Sequence, residues 1–125
     1  MPTWISERVV LAIHRRHMAE HGGLEGIRDS GALTSALAKP KNLYAYHPHS
    51  SLYSLAAAYG LGLARNHPFL DGNKRTSYVI MRLFLRLNGQ DIYASDYEKY
   101  TVMMRVASGD LVLESLTAWL KSHGD

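Results

Sequence analysis

A short stretch in the middle of the chain combines a histidine, a carboxylate, a glycine and two cationic side chains. It covers residues 66–76 and reads Asn-His-Pro-Phe-Leu-Asp-Gly-Asn-Lys-Arg-Thr. An imidazole is largely neutral at physiological pH, so His67 could accept the proton of a hydroxyl nucleophile. Asp71 is the only carboxylate of the stretch and offers the oxygen ligands that Mg²⁺ prefers. The pair predicts a general base beside a metal-bound phosphate.

The residues that follow Asp71 predict a phosphate-binding helix start. Gly72 can adopt backbone conformations closed to other residues, and an apolar helical pattern begins with it. The first turn of a helix exposes unpaired N–H groups and the positive end of the helix dipole, which together bind phosphate. Lys74 and Arg75 add two cations to this turn. Taken singly, these residues also suit a helix cap and a solvated face, but their combination favours a nucleotide site.

Helices must position these residues, because almost every periodic segment of the chain has helical spacing. The segment before the stretch is small and apolar nearly all round, which predicts a central helix packed on most sides. No repeat, linker or low-complexity tract interrupts the chain. The sequence therefore predicts a single all-α domain over residues 1–125, a compact bundle of about six helices. The predicted helices are Ser6–Glu20, Ser30–Ala38, Ser51–Arg65, Gly72–Leu87, Asp96–Ala107 and Leu111–Ser122.

Two segments depart from the helical pattern. Lys39–Pro48 carries two prolines and alternating tyrosines, which predicts an extended flap loop or a short hairpin. Gln90–Tyr93 could form one short strand.

Three histidines on the first predicted helix and just after it have helical spacing, His14, His17 and His21. They could bind a metal, but no acidic or thiol partner is near them. Exposed helix histidines are the simpler interpretation.

Composition narrows the classes of function. The chain has 125 residues, 46% of them hydrophobic and 20% charged, as expected of a soluble globular domain. It has no cysteine, which excludes disulfides, thiol nucleophiles and thiolate metal sites. The net charge of +3 is small beside that of dedicated nucleic-acid binders. No direct nucleic acid partner is therefore expected, and an RNA-cleaving or nucleic-acid-binding protein is a weaker alternative. Neither a signal peptide nor a membrane-spanning stretch is evident, which predicts a cytoplasmic protein without a membrane partner.

A known family shares the central pattern. Residues 67–75, which read His-Pro-Phe-Leu-Asp-Gly-Asn-Lys-Arg, resemble the core motif of the Fic superfamily, and the Asn-Lys-Arg ending is similar to its death-on-curing (Doc) toxin branch. The flanking segments His21–Asp29 and Leu85–Gly89 are also similar to that branch. Fic proteins transfer part of a nucleotide to a protein hydroxyl. The resemblance therefore implies the Fic/Doc fold, ATP and Mg²⁺ as cofactors, and a protein substrate.

The resemblance assigns a role to each matching position. His67 would deprotonate a Ser, Thr or Tyr hydroxyl, Asp71 would hold Mg²⁺, and Phe69 would anchor the loop in the core. The nucleotide phosphates would be bound by Gly72, Asn73, Lys74 and Arg75.

The Fic-like fold also implies a flap that aligns the target protein as an added strand. The loop predicted at Lys39–Pro48 takes that position in the chain. Its candidate substrate contacts are Tyr44, Tyr46 and His47. An aromatic surface loop without this function is the equal alternative.

Two positions differ from the AMP-transferring members of the superfamily, whose motif resembles H-P-F-x-[DE]-G-N-G-R-x-x-R. Lys74 replaces the second glycine, and Tyr78 replaces the second arginine, which holds the β and γ phosphates. Without that arginine the nucleotide could lie reversed and present its γ-phosphate to the hydroxyl, as death-on-curing proteins do. The resemblance therefore favours a protein Ser/Thr kinase. AMP transfer is the alternative, because Pro68 and Gly72 match the AMP-transferring pattern.

The same resemblance implies the toxin of a toxin–antitoxin pair. Self-restrained Fic proteins carry an inhibitory helix that resembles [ST]-x-x-x-E-[GN], and the only near match, Thr3–Glu7, is followed by Arg8. An antitoxin supplied in trans is therefore expected, as a partly disordered segment that folds onto the helices. By likeness to death-on-curing toxins, the expected protein substrate is translation elongation factor Tu.

Overall fold

The computed structural model describes the whole chain, Met1–Asp125, and contains six α-helices. The only β pairings are two isolated bridges, so the predicted all-α class is confirmed. No helix is both long and apolar enough to cross a membrane. In chain order the helices are α1 (Glu7–His21), α2 (Ser30–Tyr46), α3 (Leu52–Asn66), α4 (Asn73–Leu87), α5 (Asp96–Ser108) and α6 (Leu113–Ser122).

Helix α3 is the centre of the fold, as the sequence predicts. Every residue from Leu55 to Ala64 is buried, and the helix packs against α2, α4, α5 and α6. Small residues allow the close approach, since a side-chain carbon at Gly62 would lie 3.0 Å from the backbone oxygen of Ala36 in α2. The apolar core around α3 extends to Phe69, just beyond the end of this helix. The central helix thus carries the functional stretch directly on the core.

Helix α2 shows that the predicted flap loop is wrong. It continues through Pro40 to Tyr46, so most of residues 39–48 is helical rather than extended. Proline lacks the N–H that would bond to the carbonyl of Ala36. Pro40 is buried, however, and α2 packs against α3. Burial of this face outweighs the lost hydrogen bond, a tertiary effect that local proline signals do not reveal.

The short strand predicted at Gln90–Tyr93 does not form either. Ile92 makes one isolated antiparallel bridge with Gly124, and the Tyr93 N–H donates to the His123 carbonyl at 2.9 Å. One bridge is too short to make a ladder.

An extended segment does lie beside the functional stretch, but it is Gly22–Asp29, between α1 and α2. The Arg28 N–H donates to the Pro68 carbonyl at 2.8 Å, and the Leu70 N–H donates to the Gly26 carbonyl at 3.1 Å. We call Gly22–Asp29 the clamp segment, because these bonds hold the loop between α3 and α4 against it.

Candidate active site

His67 begins the loop between α3 and α4, residues 67–72, which we call the motif loop. With φ of 48° and ψ of 56°, it is the only non-glycine residue with a positive φ. This left-handed conformation is strained for a residue with a Cβ. The guanidinium of Arg28 holds it by donating to the carbonyls of His67 and Asn66, at 2.6 and 2.9 Å. The strained turn ends α3 and leaves His67 exposed.

The Asn73 side chain closes the motif loop from inside. It is 8% exposed, and its amide oxygen accepts the Phe69 N–H while its nitrogen donates to the Phe69 carbonyl, both at 3.0 Å. Phe69 is buried in the core, where the sequence places it. The Asn73 nitrogen also lies 3.4 Å from Nδ1 of His67, which is long for a hydrogen bond. The amide is therefore used within the loop, and the backbone N–H of Asn73 is the group left for phosphate.

Asp71 presents its carboxylate at the surface of the motif loop. One oxygen accepts the Gly72 N–H at 2.8 Å, and the other accepts the Leu24 N–H of the clamp segment at 3.2 Å. Gly72, not Asp71, is the N-cap of α4, and no side chain caps this helix. A carboxylate has about four acceptor positions, so both Asp71 oxygens retain free lone pairs. One exposed carboxylate with free lone pairs fits Mg²⁺, which takes its other ligands from phosphate and water.

Helix α4 begins with three backbone N–H groups that have no partner within the chain, those of Asn73, Lys74 and Arg75. Gly72 makes the turn into the helix with φ of 74°, and an added Cβ would meet the side chain of Met18. Lys74 and Arg75 are exposed and form no ion pair with a carboxylate. Free donors, two cations and the helix dipole make this helix start an anion site.

A cavity of about 620 Å³ opens at the start of α4 and is bounded by the end of α1, the motif loop and α5. Its cationic lining includes Lys74 and Arg75, and also Lys99 of α5. The Lys99 ammonium makes only a loose contact with Asp96, at 3.9 Å. The sequence interpretation missed Lys99, because nothing in its local pattern shows that α5 faces the motif.

Tyr78, which stands at the position of the second arginine, forms part of the cavity wall. It is buried, its ring meets Trp119 edge-on, and its hydroxyl has no hydrogen-bond partner. Burial raises the pKa of this hydroxyl, so it stays neutral. The Lys99 ammonium lies 5.5 Å from the centre of the Tyr78 ring. The position itself supplies no charge, but a cation from α5 lies over it.

The three histidines of α1 do not come together as a metal site. His17 and His21 stack with 5.6 Å between ring centres and line the cavity, whereas His14 is buried beneath the motif loop. Burial and the neighbouring His21 lower the pKa of His17. The structure contains no group of three His, Asp or Glu side chains that could hold a metal ion. The interpretation of exposed helix histidines is wrong for His14, which is buried, and holds in full only for His21, since His17 is half-buried.

The predicted flap residues lie at the end of α2. Tyr44 is half-buried against the edge of Trp4, while Tyr46 and His47 are exposed. None of them hydrogen-bonds to the motif loop; the clamp segment makes those contacts instead. The glycine-rich run of the clamp segment is visible in the sequence, but glycines alone do not reveal which loop this segment contacts.

Known proteins are similar to this chain over most of its length. The sequence model of the Fic/DOC family matches residues 4–85. The chain is 31% identical to the protein named Protein kinase doc of Escherichia phage P1 over 117 residues, which cover 94% of this chain and 92% of the relative. It is 38% identical to the protein named Toxin Doc of Mycolicibacterium smegmatis over 103 residues, which cover 79% of this chain and 78% of the relative. The chain therefore belongs to the Fic/DOC family and, within the Fic superfamily, to its Doc branch.

Proposed function

We propose that this protein is the toxin of a toxin–antitoxin pair and a protein kinase that transfers the γ-phosphate of ATP to a Ser or Thr hydroxyl of a translation factor. Elongation factor Tu is the expected target, and blocked translation the expected effect. The observation that carries the proposal is one loop that joins an exposed imidazole, a free carboxylate and an anion-binding helix start. Relatives named as a kinase and as a toxin support it.

In this proposal each group of the motif loop has one task. His67 accepts the proton of the target hydroxyl while the hydroxyl oxygen bonds to the γ-phosphorus. The bond from that phosphorus to the oxygen bridging the β-phosphate breaks, and ADP leaves. Asp71 would hold Mg²⁺, which neutralises phosphate charge when bound. The free N–H groups of Asn73, Lys74 and Arg75 bind the phosphates and keep them in line with the hydroxyl.

The cations around the cavity support phosphoryl transfer over AMP transfer. Lys74 puts a long cationic side chain at the helix start, where AMP-transferring members have glycine. The buried, neutral Tyr78 cannot hold terminal phosphates as an arginine does. Lys99 lies nearby, but a single ammonium does not supply the bidentate contact of a guanidinium. AMP transfer is the alternative. RNA cleavage has less support, because the net charge of +3 is small beside that of dedicated nucleic-acid binders.

Labelled ATP tests the reaction. The protein is incubated with Mg²⁺ and candidate targets, elongation factor Tu among them, in parallel with ATP labelled at the γ or the α phosphate. A kinase places γ label on a Ser or Thr and releases ADP. Label from the α position on the target would overturn the proposal in favour of AMP transfer. His67→Ala is the control that lacks the proton acceptor, and it should transfer neither label.

The proposed antitoxin binds over the cavity at the start of α4 and along the adjoining surface of this helix. The cavity at the start of α4 continues into a second one of about 240 Å³ along this helix, and Lys99 lines both. Arg82 and Arg86 line the second cavity together with apolar side chains. A segment that carries both acidic and apolar side chains suits such a groove.

Expression of the protein in the cytoplasm tests the toxin role. The wild-type chain should arrest growth and His67→Ala should not. Harmless expression of soluble, active wild-type protein would argue against a toxin that needs an antitoxin.

A further inference from the structure

His14 is the only histidine in the buried interior, and it lies directly beneath the motif loop. Its side chain is 3% exposed, and its ring stacks on that of Phe69 with 3.8 Å between centres and 7° between planes. Its Nε2 lies 2.8 Å from the backbone oxygen of Asp71, which is 57 residues further along the chain. A single side chain of α1 therefore contacts both the buried anchor of the loop and the backbone of its carboxylate residue.

The chemistry of this contact fixes its direction. A carbonyl oxygen can only accept, so Nε2 of His14 must carry a hydrogen and donate it. The Asp71 carbonyl and the Gly72 N–H belong to one planar peptide group. The N–H end of that group donates to the Asp71 carboxylate at 2.8 Å, and the carbonyl end accepts from His14. His14 thus fixes the rotation of the peptide on which both the carboxylate and the start of α4 depend.

We infer that His14 is a positioning residue: its Nε2–H orients the Asp71–Gly72 peptide and so aims the Asp71 carboxylate and the first N–H groups of α4 at the metal-bound phosphates. The inference rests on the proposed function for the task of Asp71. The stack on Phe69 requires only a ring, whereas the bond to Asp71 requires a donor at the position of Nε2. The two contributions can be separated by substitution.

Two substitutions separate the donor from the ring. His14→Phe keeps a ring against Phe69 but loses the donor, whereas His14→Gln keeps an N–H donor of similar reach but loses the ring. Val10→Ala is the matched control, because Val10 is buried on the same helix one turn earlier and its side chain cannot hydrogen-bond to the motif loop. For each variant we would measure the thermal midpoint, and the transfer rate against Mg²⁺ concentration at saturating ATP.

We expect His14→Phe to raise the Mg²⁺ concentration for half-maximal rate by about tenfold, the lower range for loss of a group that orients a metal ligand. His14→Gln should bring this concentration back to within about threefold of wild type. Val10→Ala should lower the thermal midpoint without changing the Mg²⁺ dependence. The inference is overturned if His14→Phe keeps the wild-type Mg²⁺ dependence, or if a folded His14→Gln is no better than His14→Phe.

Two readouts do not need activity. Binding of Mn²⁺ with a non-hydrolysable ATP analogue, followed by electron paramagnetic resonance, should weaken in His14→Phe and not in Val10→Ala. Long-range ¹H–¹⁵N spectra of the wild-type chain should show the His14 hydrogen on Nε2. If neither variant folds, a His14 ring without that hydrogen overturns the inference. If the wild-type chain transfers no phosphate, the proposed function fails, while these two measurements still judge His14.

Discussion

The motif loop and the end of α6 are both fastened to distant parts of the chain by polar contacts, but the contacts differ in kind. The loop is held by backbone N–H groups, an asparagine amide, the guanidinium of Arg28 and the Nε2–H of His14, which remains a donor in either charge state of the ring. The end of α6 is held by an ion pair, in which Nε2 of His123 lies 2.8 Å from the Glu98 carboxylate at the start of α5. Contacts of the first kind keep their donors and acceptors across the neutral pH range. The second kind changes with the charge of a histidine, so the site and the scaffold should respond differently to the same perturbation.

Among changes to these contacts, the largest effect is expected from Asn73→Ala, which removes both bonds to the Phe69 backbone. Two buried backbone groups lose their partners, which should lower the free energy of unfolding by about 2 kcal/mol. The transfer rate should fall by about 100-fold, because the motif loop no longer keeps its shape. Chemical denaturation and the γ-label assay measure the two effects.

Asn88→Ala is the matched control for this variant. The Asn88 amide bonds in both directions with the backbone of Thr3, at 2.7 and 3.0 Å, far from the motif loop along the chain. It should cost stability and leave transfer within about twofold of wild type. Equal loss of transfer in Asn73→Ala and Asn88→Ala would show that the rate follows overall stability and not the Asn73 amide.

Gly23→Ala should have the next largest effect. Gly23 lies in the clamp segment with φ of 123°, and an added Cβ would come within 2.8 Å of the Asp71 carboxylate. We expect a displaced carboxylate, and therefore a rate that falls by about tenfold at low Mg²⁺ and recovers at high Mg²⁺. Gly109→Ala also puts a Cβ on a residue with positive φ, 89°, but with no atom within 4 Å of the new Cβ. It should destabilise the chain by about 1 kcal/mol without altering the Mg²⁺ dependence.

Lys99→Ala tests whether α5 belongs with the site or with the scaffold. The Lys99 ammonium lines the cavity and pairs only loosely with Asp96. If it contacts the nucleotide, its removal should raise KM for ATP about threefold and leave kcat nearly unchanged. Arg105, on the same helix, does not line the cavity, so Arg105→Ala should change neither constant. An unchanged KM in Lys99→Ala would place α5 with the scaffold alone.

The smallest effect, and one on stability alone, is expected from His123→Gln. The Glu98 hydrogen bond raises the pKa of His123 above its ordinary value of 6.5, so its contribution is complete below that pH and fades as pH rises through the raised value. The backbone N–H of Ser95 and the side chain of His123 lower the pKa of Glu98 to about 2 from 4.5, so its contribution is present above 4.5 and fades as pH falls toward 2.

The ion pair should therefore stabilise the fold most between its two ordinary pKa values. The difference in thermal midpoint between wild type and His123→Gln should be largest near about pH 5.5 and smaller at about pH 9. Transfer at neutral pH should not change. A difference that is flat with pH would show that His123 acts by packing on Trp119 rather than by charge.

Local signals predicted the fold well wherever one residue type decides a helix end. Ser95 and Glu98 form a capping box and Ser51 caps the central helix, so α5 begins at the predicted residue and α3 one residue after it. The prediction failed at α2, because burial of Pro40 against α3 decides that helix. It failed at Gln90–Tyr93 because pairing there depends on where the C-terminus lies.

The sequence predicts which residues belong to the candidate site, but not how they are arranged in space. The motif makes His67 and Asp71 candidates by their types and spacing alone, and both are exposed on the motif loop. The motif does not reveal that the side chain of Asn73 holds the loop backbone, which leaves its backbone N–H for phosphate. The sequence gives neither Arg28 nor His14 a role in supporting the motif loop, because no local spacing reveals a contact between residues so far apart.

The supports of the motif loop also bear on the order in which the molecule assembles. Arg28 and His67 are 39 residues apart, Leu24 and Asp71 are 47 apart, and His14 and Asp71 are 57 apart. Such contacts form only after a large loss of chain entropy, whereas α3 and α4 are joined by a short connection. We therefore expect α3 and α4 to pair first and α1 with the clamp segment to dock afterwards. Before that docking the motif loop lacks these supports, and we expect no transfer. A local opening of the clamp segment should likewise abolish transfer while the core stays folded.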